Sequence, residues 1–378
     1  MSLRCWLGLF GAAALLFAEQ PPLVVFVPGG GRTEAPRMAG WEALTVQAGP
    51  NDAGVGALEA AIQAARRDRP SDPLRTYLVG EGEGAATVFY AVSRRPDLWA
   101  AALALGGTPK PAIDSNRLYG ANTELAPVLW VIPDGDRALL EPLRARLAAA
   151  HFNLEPAPAG ITVEQAFQWL ASHTRPAFPK KVDCETGNTA FARCYWVELT
   201  KFDAKQRNDA LLSTRVPAGS GAALGLGGFG YKLDAPGPGV LVEWLPEKYK
   251  GPLQLGDRIV ELAGKEIRDA RQYAETMDQT TEEKPVAIMV ERAKERRRVE
   301  TRILLAKRTE LVTARVQAQY LADSRELLVI TRGVTELRVT LPDYWVPCPI
   351  NWNGNQAGQA DSAGCWLLAA GSPARKCE

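Results

Sequence analysis

From residue 22 to 28 the chain reads PLVVFVP, a continuous apolar run without polar alternation. A strand buried on both faces has that pattern, and Gly29, Gly30 and Gly31 behind it permit a tight turn. Helical spacing follows over 57–68, where alanines, Leu58 and Ile62 recur on one face. The alternation then continues: a strand over 76–79, a glycine cluster, a helix over 85–95, a strand over 100–105 and another over 127–132. A helix over 139–150, a short strand over 152–155 and a helix over 163–173 complete the series. This order predicts an α/β doubly wound parallel sheet covered on both faces, with functional loops at the strand C-termini.

Beyond residue 218 the pattern changes to short strands. Leu224 to Tyr231 is rich in glycine, and GVLVEW at 239–244 reads as a strand. A helix is expected over 269–277, with strands over 286–291 and 299–305. The basic run ERAKERRRVETR at 291–302 reads as the solvated turn between those two strands. Blocks at 190–199 and 315–352 alternate at the strand period, and Asn353-Gly354 is a hairpin signal. The blocks flanking 218–307 read as one small β-sandwich-like domain, 176–217 with 308–378, interrupted by a separate module. Trp345, Trp352 and Trp366 within it read as buried aromatics in preference to a sugar platform.

Residues 1–18 carry Arg4 and then an apolar stretch shorter than the ~20 residues a membrane span needs. They read as a signal peptide, with a retained anchor as the alternative, and place the mature protein outside the cytoplasm. In that oxidising setting Cys184, Cys194, Cys348 and Cys365 allow three pairings, of which Cys184–Cys194 and Cys348–Cys365 are the local ones and are expected, each stapling a short hairpin. Cys377 is then left over. Forty-four Lys and Arg against 43 Asp and Glu give a net charge of +1, which provides no field for nucleic acid. Two histidines, His151 and His173, and no CxxC spacing leave no basis for a metal site, and no cofactor is expected.

The string Gly80-Glu81-Gly82-Glu83-Gly84, between a strand and a helix, resembles the nucleophile elbow of α/β-hydrolases over residues 21–175. Pro28 to Gly31 resembles the loop that supplies an oxyanion donor, and Asp134 and Asp136 fall where the family's acid follows a late strand. The resemblance puts the nucleophile at Gly82, which has no side chain to attack with. His151 and His173 end helices and read as terminal residues. The chain is thus expected to be a pseudo-hydrolase, the alternative being a serine esterase or peptidase with an unrecognised nucleophile such as Ser93. The flanking β blocks resemble the β extension of some secreted polyester-type hydrolases.

Residues 218–307 are similar to a PDZ domain, and LGDRIVELAGK at 255–265 is the most specific part of the match. The resemblance implies that Gly227, Gly228, Phe229 and Gly230 form a carboxylate-binding loop, followed by an exposed strand containing Tyr231 and Leu233. It also implies an apolar pocket lined by Tyr273 and Met277, with a protein or peptide C-terminus as ligand. The plainer reading makes Tyr273 and Met277 ordinary core residues. Pro246 to Pro252 replaces the family's usual small-residue helix.

Overall fold

The computed structural model of the protein describes residues 20–36, 38–232, 235–307 and 313–377. The expected signal segment and Leu233 lie outside the described residues. Six parallel strands form the first sheet: β1 (Leu23–Val27), β2 (Glu42–Thr45), β3 (Thr76–Glu81), β4 (Ala101–Leu105), β5 (Val128–Val131) and β6 (Leu154–Pro156). Their order across the sheet is β2-β1-β3-β4-β5-β6, and the fold is α/β. Helices α1 (Asp52–Asp68), α2 (Gly84–Arg94), α3 (Lys110–Asp114), α4 (Arg137–Ala149) and α5 (Val163–Ala171) alternate with the strands. Leu23, Val25 and Val27 pack into the core under α1 and α2, whereas Val24 and Phe26 pack toward α5. That division is why β1 is apolar at every position.

Two elements depart from expectation. α1 begins at Asp52, capped by the Asn51 side chain accepting from the Gly54 N–H at 2.9 Å. Gly54 and Gly56 weaken the helical signal of that first turn, so the pattern became visible only at Ala57. β2 was not foreseen, because it is a half-buried edge strand of four residues.

The chain continues through β7 (Lys181–Thr186), β8 (Arg193–Cys194) and β9 (Val197–Phe202) into a middle unit. There β10 (Ala223–Leu224), β11 (Val240–Leu241), β12 (Arg258–Leu262), β13 (Lys265–Glu266), β14 (Lys284–Arg292) and β15 (Glu295–Leu304) pack with α6 (Ala270–Gln279) around one core. The basic run is strand for most of its length, not turn. Only Ala293 and Lys294, with φ of 50° and 70°, make the reversal.

Then follow β16 (Ala314–Leu321), β17 (Glu326–Arg332), β18 (Val334–Leu341), β19 (Cys348–Trp352), β20 (Asn355–Ala360), β21 (Gly364–Ala369) and β22 (Arg375–Lys376). Two five-stranded sheets, β20-β19-β17-β16-β7 and β22-β21-β18-β9-β8, enclose a core that buries Trp345, Trp352 and Trp366. Asn353 and Gly354 turn β19 into β20 with φ of 49° and 80°. The fully buried Glu185 carboxylate accepts from the Thr214 N–H (2.7 Å) and Oγ1 (2.8 Å), Arg332 Nη2 (3.1 Å) and the Thr313 hydroxyl. It ties the chain entering the middle unit to the chain leaving it.

Cys184 is bonded to Cys194, but the pair joins β7 of one sheet to β8 of the other instead of stapling a hairpin. The expected Cys348–Cys365 pair does not form. β22 runs antiparallel to β21 and brings Cys377 beside Cys365, with the Cys377 N–H donating to the Cys365 carbonyl at 3.0 Å, and these two are bonded. Cys348 stays free and buried in β19 of the opposite sheet.

Candidate functional site

β3 ends at Glu81, Gly82 turns the backbone with φ +56°, and α2 starts at Gly84. The Gly82 N–H donates to the Leu105 carbonyl at 3.0 Å, and the Glu83 N–H to the Gly29 carbonyl at 3.2 Å. A Cβ placed on Gly82 would lie 2.8 Å from Gly30 Cα and from the Gly29 carbonyl carbon. One on Gly107 would lie 2.8 Å from the Gly82 carbonyl carbon, and one on Gly80 2.6 Å from that of Gly84. Loops leaving β1, β3 and β4 thus meet backbone on backbone at the head of the sheet. Gly82, expected at the nucleophile position, lacks a side chain and also lacks the space for one.

Asp136 lines a cavity together with Gly107, which packs on Gly82. Asp134 pairs with Arg137 at 2.8 Å, and Asp136 faces Arg271 of α6 at 3.7 Å. Ser93 is fully buried in α2, where its Oγ donates to the Tyr119 carbonyl (3.1 Å) and accepts from the Tyr119 N–H (2.7 Å). It is a strut between α2 and the segment before β5, out of reach of any substrate. His151 sits exposed at the C-terminal end of α4 with φ 57°.

His173, just past α5, does lie beside a serine and a carboxylate: Ser172 Oγ is 3.2 Å from Nδ1 and Glu155 Oε1 is 3.9 Å from Nε2. Nδ1 is also 2.8 Å from the Trp169 carbonyl, which can only accept, so Nδ1 carries a proton. It cannot take another from Ser172, which itself donates to Trp169 at 2.7 Å. Nε2, the ring nitrogen left to accept a proton, faces Glu155 and not Ser172, so the trio closes a helix end and offers Ser172 no base.

The middle unit brings most of its expected residues together. Gly227, Gly228, Phe229 and Tyr231 face Tyr273, Ala274 and Met277 of α6 across a cavity of about 260 Å³. Gly230 lies behind the loop, its N–H bonded to the Trp244 carbonyl at 2.8 Å. A single bridge pairs Gly230 with Trp244; Tyr231 follows it outside any strand, and its ring meets Tyr273 edge-on at 5.5 Å. Tyr273 and Met277 are also core residues, 3% and 4% exposed. Their bodies pack inward while one edge of each lines the cavity. Burial pushes the Tyr273 phenol well above its ordinary range, and that of Tyr231 upward too, so both phenols are neutral.

Gly227 has φ +83°, and the backbone N–H groups of Gly227, Gly228 and Phe229 have no acceptor among the described residues. Successive unpaired N–H groups at a turn form a concave anion site. The Pro246 to Pro252 segment folds back so that Tyr249 touches this loop, with Cε2 3.0 Å from where a Gly227 Cβ would be.

Two lining residues had no signal in the sequence. Lys110 comes from α3 of the parallel-sheet unit and Asp278 from the last turn of α6. Lys110 Nζ lies 3.5 Å from Asp278, and Arg146 of α4 pairs with the same carboxylate. Only the docking of two units makes them neighbours. Among the described residues no three His, Cys, Asp or Glu side chains converge as a metal site, and no helix is long and apolar enough to cross a membrane.

No protein-family profile and no curated protein matches the sequence. Among solved structures the chain is similar to a thermostable esterase, at 14% identity and a TM-score of 0.27. That similarity covers 42% of this chain and 56% of the esterase.

Proposed function

We propose that the protein is an exported, non-catalytic pseudo-hydrolase: an α/β-hydrolase-like unit, a β-sandwich-like unit and an inserted PDZ-like unit that binds the C-terminus of a protein or peptide. The observation that carries the binding reading is the cavity itself. A loop with three unpaired N–H groups stands at one end, and the apolar faces of Phe229, Ala274 and Met277 stand beside it. A terminal carboxylate would accept from the loop while the last side chain enters the cavity, and the neighbouring backbone would add to the sheet edge. The non-catalytic reading is supported by the filled space at Gly82 and by His173 Nδ1, which is bonded to the Trp169 carbonyl and cannot take the Ser172 proton. Two disulfides fit an oxidising compartment.

Calorimetric titration with peptides ending in Leu or Val, as free acids and as amides, tests the binding reading. The acid form is expected to bind about tenfold to a hundredfold more tightly, the equivalent of ~1.5 to 3 kcal/mol for bonds to a charged group. Equal affinity of the two forms would overturn it.

A further inference from the structure

The groove is not built by the middle unit alone. Lys110 lines it together with Gly227 and Gly228, although Lys110 belongs to α3, which follows the loop leaving β4. α6 is correspondingly shared. Its Tyr273, Ala274 and Met277 line the groove, while Arg271, Ala274, Glu275 and Asp278 line a second cavity of about 270 Å³ against α4. That seam is held by Lys110 and Arg146 on Asp278 and by Arg271 on Asp136.

We propose that Lys110 of the parallel-sheet unit completes the carboxylate end of the groove, so that the two units together select a ligand with a free, charged C-terminus. The proposal rests on the groove reading above. Lys110 is placed for this by its chemistry as well as by position. Its Nζ is 2.8 Å from Asp114 and 3.5 Å from Asp278, which commits one of its three N–H donors to a hydrogen bond and leaves others for a ligand. The side chain is 43% exposed, so it can swing toward a carboxylate arriving at the glycine loop. Asp278 would repel that carboxylate if it stood alone, but Arg146 already meets its charge. The neutral glycine loop supplies direction through its N–H groups, and Lys110 supplies the positive charge that this loop lacks.

The test uses the full chain, with short peptides ending in Leu or Val as acids and as amides, at low and at high salt. Lys110→Met is expected to weaken acid binding about threefold to fivefold at low salt, the range of a partly exposed ion pair, and to leave amide binding unchanged. The loss should shrink at high salt, and Lys110→Arg should restore most of the preference. A thermal unfolding curve of each variant checks that the fold is retained. If the wild type prefers the acid form and Lys110→Met prefers it equally, this proposal fails while the groove reading stands. If Lys110→Met weakens both forms alike, Lys110 only braces α6 through Asp278, and the proposal also fails. If the wild type itself shows no preference, the groove reading falls and this proposal falls with it.

Discussion

At the head of the parallel sheet, Gly29, Gly82 and Gly107 let three backbones touch; the Gly82 N–H donates to the Leu105 carbonyl, and the Gly29 and Gly82 carbonyls accept from the N–H groups of Glu83 and Ala85. At Gly227 and Gly228 the same residue type does the opposite, lining an open cavity with N–H groups that have no acceptor among the described residues. In the first place glycine is needed because any side chain would collide. In the second it is needed to leave amides exposed. A glycine cluster after a strand therefore marks a close approach of backbone, and only the neighbours decide whether the approaching group belongs to the chain itself or to a ligand.

The largest difference between the two turns should appear on adding a side chain. Gly82→Ser places a Cβ against Gly29 and Gly30 at a positive φ, and should lower the unfolding free energy by roughly 3 kcal/mol or more. Gly228→Ser has only Pro246 Cγ nearby, at 3.8 Å, and should shift stability by less than about 1 kcal/mol. Urea midpoints of the two variants decide it. Similar midpoints would mean that the head of the sheet can open, and the case against a nucleophile there would weaken.

The framework behind the closed head should be nearly as sensitive. Arg94 at the end of α2 is almost fully buried, 3.3 Å from Asp52 and stacked on the Phe191 ring at 4.5 Å. Asp52 also accepts from Tyr90 (2.7 Å) and Arg117 (3.0 Å). Burial alone would raise its carboxyl, but the Tyr90 hydrogen bond and the two guanidinium charges outweigh that and hold it below its ordinary value. Asp52→Asn should cost about 3 kcal/mol at neutral pH by leaving Arg94 uncompensated. Because the folded-state pKa is depressed, this stabilisation is complete above the ordinary carboxylate range and is lost as pH falls through the folded value. The stability gap between wild type and variant should therefore narrow in acid. A gap independent of pH would show that the carboxylate charge is not what matters.

Much of this was legible in the residues, and the rest was hidden for physical reasons. β1 was plain because a strand buried on both faces carries no polar residue, whereas the edge strand β2 has almost no apolar signature. The cavity residues Gly227, Gly228, Phe229, Tyr231, Tyr273 and Met277 were readable from spacing and resemblance. Lys110 was not, since its place in the groove depends on how two units dock. Of the expected cysteine pairs Cys184–Cys194 forms, whereas Cys348–Cys365 does not, because the short return strand β22, which had no signal in the sequence, sets Cys377 beside Cys365.

A smaller effect concerns reactivity. Fluorophosphonate should label no serine, because Ser93 is buried and bonded at Tyr119 and Ser172 has no free base beside it. Stoichiometric labelling, located by mass spectrometry, would restore the hydrolase alternative.

Hydrogen–deuterium exchange on the full chain, with and without a Leu-terminated acid peptide, compares the two turns in one experiment. Without peptide, the amides of Gly227, Gly228 and Phe229 should exchange quickly, since nothing in the chain accepts from them, while Gly82 and Glu83 should be protected by Leu105 and Gly29. With peptide, protection should rise at 227–229 and stay constant at 82–83. Unchanged exchange at 227–229 combined with new protection at the head of the sheet would contradict the account, because it would put the ligand where the chain is packed against itself.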